Sequence, residues 1–429
     1  AFLWVKKATT TTNLRLNSIS QEKGDAILSA IDELLLEIEN TITKNDNTIY
    51  EKIIVDPFQG GAGTSLNMNI NEVIANIALK KIEKNYGDYN YIHPIDDVNL
   101  NQSTNDTYPT ALKVAAIILL RELQDSFALL QNNFQAKEKE FIKVAKLART
   151  QCQDAVPITL GEEFGAYAQA VARDRWRLFN CEERLRSVNL GGTAVGNSIL
   201  AEKNYTLSVC NELKIISGLP IAKAEDLIDA TQNLDVVVEV HGLVKTGATS
   251  IMKICNDLRF LSSGPNGGIG EINLPQLQAG SSIMPGKVNP IILEHSIQVA
   301  ELVKGNDVMI SNLVSNGHLE LNPFTPMIAH CLLKSIQMLR DAVVNLAEKC
   351  IQGITANEER CFENLSKSTA LAALFIEDFG YDKISSIVKQ SIIQKKDFLP
   401  FLQKELNLSN ENLEEIIKNK TGYNLERST

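Results

Sequence analysis

The sequence predicts a mostly α-helical protein whose centre is an elongated bundle of five long helices that oligomerises. The first observation is periodicity, because apolar residues recur at i, i+3 and i+4 spacing over five long stretches. The second is size, because 429 residues of which 44% are hydrophobic exceed what one compact core usually holds. The five stretches are 108–147, 161–190, 224–262, 290–314 and 326–351.

The length of these stretches predicts an oligomer. A helix of about forty residues spans about 60 Å, since each residue adds about 1.5 Å. One compact chain cannot cover so long an apolar face, so part of each face is expected to contact another copy of the chain. We therefore expect a homo-oligomer.

Smaller helical regions are expected on both sides of the bundle. The N-terminal domain covers 1–106, the central bundle domain 107–355, and a small C-terminal helical domain 356–429. The N-terminal domain contains predicted helices at 19–39 and 69–83. Because the chain starts at Ala1, inside a helical pattern and without a methionine, we expect this domain to be truncated or processed.

Charge and hydropathy narrow the classes of partner. The chain has 52 acidic and 42 basic residues, a formal net charge of -10. This balance argues against nucleic acid or an anionic membrane as a partner. The sequence shows no apolar run of membrane-spanning length and no signal-peptide pattern, which favours a cytoplasmic location.

Cysteines and histidines give no sign of a metal centre. The seven cysteines are scattered without a C-x-x-C pair, which predicts reduced and mostly buried thiols. The five histidines lack the spacing of a ligand set. We expect no metal site and no cofactor, so side chains and backbone must supply the chemistry.

The most informative segment is 280–290, which reads Gly-Ser-Ser-Ile-Met-Pro-Gly-Lys-Val-Asn-Pro. Backbone amides near a helix start, together with a lysine, favour a carboxylate or a phosphate. A serine in the same loop can exchange a proton if its hydroxyl is activated. An ordinary Gly/Ser/Pro surface loop is the alternative that composition alone suggests. The candidate residues are Ser281, Ser282, Lys287 and Asn289.

Two more polar segments precede predicted helices. Segment 58–72 is a glycine-rich turn that contains Thr64, and it lacks the lysine of a phosphate-binding loop, which argues against nucleotide binding. Segment 99–110 suits a helix N-cap, yet it offers more small polar side chains than a cap needs. Such a surplus of donors suits a carboxylate that must hold extra charge. Its candidates are Ser103, Thr104 and Asn105.

A fourth segment, 149–163, lies between two of the long predicted helices and contains Thr150 and Gln151. A plain polar turn is the alternative interpretation. Together the four segments resemble the aspartase/fumarase superfamily. These are lyases that eliminate ammonia, water or an amine from a succinyl-type substrate to give fumarate.

The resemblance implies a mechanism and a role for each candidate. Ser281 would be the general base that removes a proton next to a carboxylate, through an aci-carboxylate intermediate. The resemblance also implies a homotetramer in which each active site is shared between three subunits. The implied substrate-binding residues are Thr64, Ser103, Thr104, Asn105, Thr150, Gln151, Ser282, Lys287 and Asn289.

Within the superfamily the pattern is closest to the aspartases. The run Gly-Gly-Ala-Gly-Thr-Ser at 60–65 and the Thr150-Gln151 pair are similar to aspartase, where many fumarases have a histidine after the threonine. The prediction is reversible deamination of L-aspartate to fumarate and ammonia, with a small dicarboxylate or amino acid as the substrate. The alternatives are fumarate hydratase, a lyase of another aspartate-like amine, or a non-catalytic structural relative.

Overall fold

The computed structural model describes residues 1–44 and 48–421, and it confirms the mostly helical fold. Within these residues no helix is both long and apolar enough to cross a bilayer. The helices are α1 (Phe2–Arg15), α2 (Gln21–Lys44), α3 (Thr48–Lys52), α4 (Thr64–Lys81), α5 (Thr104–Glu140), α6 (Leu160–Leu185), α7 (Lys203–Ser217), α8 (Leu227–Gln232), α9 (Asp235–Leu261), α10 (Ile291–Ser315), α11 (Thr325–Lys349), α12 (Glu358–Lys367), α13 (Ile376–Phe379), α14 (Tyr381–Gln394), α15 (Phe398–Leu406) and α16 (Asn410–Thr421).

Short strands form two-stranded ladders between these helices. An antiparallel hairpin joins β1 (Ala145–Thr150) to β2 (Gln153–Thr159). A parallel pair joins β3 (Ser187–Val188) to β4 (Ala222–Lys223). An antiparallel pair joins β5 (Ile272–Asn273) to β6 (Thr355–Ala356).

Five long helices match the predicted stretches, namely α5, α6, α9, α10 and α11. The predicted end of the first at residue 147 is wrong, because α5 ends at Glu140 and β1 begins at Ala145. Residues 145–150 have a sequence that a helix tolerates, but pairing with the β-branched strand β2 places them in a hairpin. Pairing between β1 and β2 has therefore overridden the helical pattern of residues 145–147.

The predicted helix over 224–262 is also wrong as one element. The chain forms the short α8 and the long α9, separated by Asn233, whose backbone is extended at φ -100° and ψ 133°. Asp226 caps α8 by accepting hydrogen bonds from the amides of Ile228 and Asp229. Side-chain capping therefore starts a separate helix inside the apolar pattern.

The chain folds into two compact units that are each discontinuous in sequence. Unit 1 comprises Ala1–Gln124, Trp176–Thr246 and Glu301–Leu339. Unit 2 comprises Asp125–Arg175, Gly247–Ala300 and Arg340–Thr429. Each of the five long helices contributes residues to both units. The division into domains at 106 and 355 stays a prediction.

Unit 1 has an apolar core built by α1, α2 and α4. The 3.6-residue period places one face of α2 and of α4 inward, while α7 packs against α1. Full burial of several of these side chains, at about 1.5–3 kcal/mol each, is the main stabilisation of this region. They include Ile27, Ile31, Ile74 and Leu79.

Unit 2 contains a second core, in which the C-terminal helices α12, α14, α15 and α16 meet the hairpin. Leu147 of β1 is buried in this cluster with Phe375, Phe398 and Leu402. The base of the hairpin is therefore held by apolar packing, while its tip, residues 150–154, is exposed.

The turn before α4 depends on one glycine. Gly63 has a left-handed backbone at φ 92°, which side-chain-bearing residues rarely adopt. A Cβ atom on Gly63 would also lie 2.2 Å from Cδ2 of Tyr108. Backbone conformation and close packing both require glycine here. Gly60, three residues earlier, has φ -76° and open space around its Cα.

We expect Gly63→Ala to destabilise the protein by about 1–3 kcal/mol, through overpacking against Tyr108 and left-handed strain. Gly60→Ala is the matched control and should leave stability within about 0.5 kcal/mol of wild type. Chemical denaturation followed by circular dichroism checks both. Equal midpoints for the two variants would contradict the role of Gly63.

Candidate active site

In unit 1 the candidate residues lie at the start of α5. The Asp106 carboxylate is fully buried and accepts hydrogen bonds from the amides of Ser103 (3.0 Å), Gly191 (3.1 Å) and Thr193 (3.0 Å). It therefore fixes the turn that presents Ser103, Thr104 and Asn105. Burial raises the pKa of Asp106 to about 6, against the lowering effect of these amides and of the Lys6 charge.

A buried amide network lies beside this turn. The Lys6 ammonium, without solvent exposure, donates to Asn99 Oδ1 (3.0 Å) and Gln102 Oε1 (2.8 Å). Burial lowers the pKa of Lys6 to about 7, although the negative charge of Asp106 opposes this. Asn67 Nδ2 donates to Asn99 Oδ1 (3.2 Å) and to Thr104 Oγ1 (3.1 Å). Thr104 Oγ1 therefore accepts in this network, and its side chain is buried.

Thr64 and Asn105 are placed by backbone contacts. Thr64 is exposed at the first turn of α4, and its hydroxyl donates to the Gly61 carbonyl at 2.7 Å. Asn105 Nδ2 donates to the Ala194 carbonyl at 2.7 Å. Asn105 also lines a cavity of about 10 Å³, the size of one water, with Ala62 and Asn322.

In unit 2, Thr150 and Gln151 form the hairpin tip. Thr150 pairs with Gln153, and the two turn residues Gln151 and Cys152 both have left-handed backbones, at φ 53° and 59°. A two-residue turn of this kind favours Asn-Gly, so Gln-Cys holds it at a cost. Strained conformations of this sort concentrate at functional sites. The tip is exposed, and Gln151 projects from it.

Directly below the tip lies a buried cluster of charges. The Glu271 carboxylate receives both guanidinium nitrogens of Arg149, with Nη2–Oε1 2.8 Å and Nη1–Oε2 3.0 Å. Lys146 Nζ lies 3.2 Å from Glu271 Oε2 and 2.8 Å from Glu163 Oε2. Burial acts to raise the pKa of Glu271, but the bonds from Arg149 and Asn364 and the Lys146 charge outweigh it and lower the pKa.

Segment 280–289 is a closed loop. Asn289 Nδ2 donates to the Gly280 carbonyl, and a Cβ on Gly280 would lie 1.9 Å from the Lys287 carbonyl oxygen, so this close approach requires glycine. Ser281 Oγ is half-buried and accepts from the amides of Ile283 (3.2 Å) and Met284 (3.1 Å). The Lys287 and Ser282 side chains are exposed.

The predicted residues thus form three local groups. Unit 1 brings Ser103, Thr104 and Asn105 to one helix start, and Thr64 opens α4 in the same unit. In unit 2, Thr150 and Gln151 share the hairpin tip. The closed loop of unit 2 holds the third group, Ser281, Ser282, Lys287 and Asn289. The roles given to these residues stay predictions.

Sequence reasoning missed three residues that organise these groups, namely Lys6, Asp106 and Glu271. Lys6 stands beside a second lysine, Lys7, in a helix of mixed polarity, so the sequence offers no signal of its burial. Asp106 and Glu271 stand within polar segments, where a buried carboxylate cannot be told from an exposed one. Their burial is a property of the tertiary structure.

The geometry can be compared with known proteins. The sequence model of a family described as Lyase matches residues 1–305, well over half of the chain. The chain belongs to this lyase family. It is similar to the aspartate ammonia-lyase of Helicobacter pylori, with 42% identity over 97% of this chain and 87% of that protein. The aspartate ammonia-lyase of Pseudomonas aeruginosa is 44% identical over 97% of this chain and 86% of its own length.

Solved structures of the family share the fold. A fumarate lyase:delta crystallin from Brucella melitensis superposes with a TM-score of 0.91 at 42% identity, over 97% of this chain and 88% of that one. A class II fumarase from Schistosoma mansoni gives a TM-score of 0.85 at 30% identity, over 97% of this chain and 89% of that one. Membership of the aspartase/fumarase superfamily, which the four segments predicted, is confirmed.

Proposed function

We propose that this lyase is an aspartate ammonia-lyase, which converts L-aspartate reversibly into fumarate and ammonia. The observation that carries the proposal is the closed loop with Ser281, Lys287 and Asn289 in a chain about 40% identical to aspartate ammonia-lyases along nearly its whole length. Gln151, in place of the histidine of many fumarases, supports an amine substrate over a hydroxyl one.

The first chemical step is proton removal from the carbon next to the β-carboxylate. Ser281 must act as an alkoxide to do this, and a serine hydroxyl is an unlikely base unless its anion is stabilised. The amides of Ile283 and Met284 point at Ser281 Oγ and would stabilise that negative oxygen. The loop geometry therefore offers a physical reason for a serine base.

The second step is loss of ammonia. When the proton leaves, the β-carboxylate becomes an aci-carboxylate with an additional negative charge. Hydroxyl and amide donors at the start of α5, where the helix dipole is positive, suit this charge. The electron pair of the aci-carboxylate then forms a new double bond between the α- and β-carbons, the carbon–nitrogen bond breaks with its electrons going to nitrogen, and the substrate ammonium departs as neutral ammonia. The residues assigned to the β-carboxylate are Thr64, Ser103, Thr104 and Ser282.

The other end of the substrate needs different groups. We assign the α-carboxylate to Lys287 and Asn289, since an exposed ammonium is a point charge suited to an anion. The substrate ammonium is assigned to Thr150, Gln151 and Asn105. Neutral oxygen acceptors can hold an ammonium and release neutral ammonia without a strong ionic bond. The assignment involves no metal and no cofactor.

The proposal includes a homotetramer with active sites shared between subunits, and a cytoplasmic location. Large apolar side chains exposed on the long helices of the single chain support association. Examples are Trp176 (68% exposed), Phe179 (66%) and Val308 (61%). All seven cysteines are unpaired and six are buried, which agrees with a reducing compartment.

The activity is tested by offering L-aspartate and L-malate separately to the purified protein and following fumarate by ultraviolet absorbance. We expect fumarate from aspartate alone, with an equal amount of released ammonia. Fumarate from malate alone would instead establish a hydratase, the function named for the Schistosoma mansoni relative. Inactivity with both would reject the proposal.

We expect Ser281→Ala to lower the rate of fumarate formation by about a hundredfold or more, because the variant lacks the proposed general base. Ser208→Ala is the matched control. Ser208 is half-buried like Ser281, but its hydroxyl donates within α7 to the Asn204 carbonyl at 2.6 Å. Unchanged turnover by a correctly folded Ser281→Ala variant would remove Ser281 from the mechanism.

Shared active sites predict that the monomer is inactive. Activity measured against protein concentration, with mass photometry on the same samples, should fall in step with the tetramer population. Full specific activity in a sample that is demonstrably monomeric would overturn this part of the proposal.

A further inference from the structure

The Glu271 carboxylate has an unusual position for a charged group, because it has no solvent exposure. Oε1 accepts from Arg149 Nη2 (2.8 Å) and Asn364 Nδ2 (3.0 Å). Oε2 accepts from Arg149 Nη1 (3.0 Å) and lies 3.2 Å from Lys146 Nζ. Two cations and one amide therefore satisfy both oxygens of this buried carboxylate.

These contacts converge on the hairpin that carries Thr150 and Gln151. Arg149 directly precedes Thr150 in β1, and its Nη1 also donates to the Leu147 carbonyl at 3.2 Å. The strand register shifts between Leu147 and Arg149, so the guanidinium group spans an irregular step of the ladder. The side chain of Arg149 thus sets the direction in which the strand enters the tip.

The tip itself has little else to hold it. Residues 150–154 are exposed, and the left-handed Gln151 and Cys152 form a turn that these residue types do not favour. On the opposite strand, Asp154 Oδ2 accepts from Ser368 Oγ at 2.6 Å, which supplies a second anchor. The position of the tip therefore depends on polar anchors at its two sides.

We propose that Glu271 is a positioning residue for the amine end of the substrate, acting through its bidentate pair with Arg149 to hold Thr150 and Gln151 in place. The inference rests on the proposed ammonia-lyase function, since it assigns the hairpin tip to the ammonium group. Glu271 does not touch the substrate. It determines where the groups that do touch it are held.

Energetics favour a positioning role over a purely stabilising one. A buried ion pair loses in desolvation much of what it gains in attraction, so apolar packing could stabilise this region as well. Two parallel hydrogen bonds from the planar guanidinium group to a carboxylate fix the direction as well as the distance of the pair, which apolar contacts do not. In Glu271→Gln the side chain has one acceptor oxygen, so it cannot accept hydrogen bonds from both guanidinium nitrogens of Arg149 and also pair with Lys146.

In the reverse reaction, an effect on the ammonium subsite can be measured separately from an effect on the carboxylate subsites. Ammonia occupies only the ammonium subsite, whereas fumarate occupies the carboxylate subsites. For Glu271→Gln we expect the KM for ammonia to rise about tenfold or more, because a binding group displaced by about 1 Å loses much of its interaction with the ligand. The KM for fumarate should change less than about threefold, because the carboxylate subsites are not held by Glu271. Steady-state kinetics with each substrate varied in turn measure both constants.

Arg149→Lys is the second variant, because it keeps the positive charge and removes the two parallel guanidinium donors. We expect the same selective rise in the KM for ammonia. Glu363→Gln is the matched control, since Glu363 pairs with Arg360 and Lys367 on the exposed side of α12. Exposed ion pairs contribute little, so this variant should keep both KM values.

Each outcome decides the proposal. Parallel increases in both KM values, or a lower kcat with unchanged KM values, would show a general structural role and overturn it. Failure of both variants to form the wild-type oligomer would identify a folding determinant instead. If the wild-type protein consumes no fumarate in the presence of ammonia, the proposed ammonia-lyase function itself fails, and that result is visible before any variant is made.

Discussion

The pair between Glu271 and Arg149 is the buried polar interaction that connects separate segments of unit 2. It links β1 to the segment that leads into the closed loop, and Asn364 adds α12 to the same carboxylate. The backbone of Glu271 takes part as well, since its amide donates to Leu261 and its carbonyl accepts from Asn357. One residue therefore joins four parts of the unit through directional bonds, where apolar packing alone would allow several arrangements.

Asp106 has the corresponding position in unit 1. Its carboxylate orients the start of α5 by accepting amides from the adjacent turn and from residues 191 and 193. Both units thus use a buried carboxylate to organise polar backbone near the candidate site. An unpaired buried carboxylate is costly, so each arrangement tolerates few alternatives. The candidate residues near each carboxylate thus gain their placement from a buried group beside them.

The negative net charge of the protein bears on how an anionic substrate would be attracted to the candidate site. With a net charge of -10, the chain as a whole repels a dicarboxylate. In the proposed function the attraction would come from short-range groups, namely amides at helix starts, the exposed Lys287 and the positive end of α5. In the proposed reaction the same groups would discriminate between the carboxylates and the amine of one small molecule.

The sequence by itself determined the helical class, the five long helices and the four polar segments, because helix periodicity and motif spacing are local properties of the chain. Only the tertiary structure decided that 145–159 is a hairpin, that α8 separates from α9, and that Lys6, Asp106 and Glu271 are buried. The buried charges are satisfied by residues far apart in sequence, whereas the hairpin and the Asp226 cap are short-range contacts that helix periodicity alone does not reveal. The local sequence pattern identifies the segments that carry the candidate residues, whereas long-range hydrogen bonds determine how those segments are oriented.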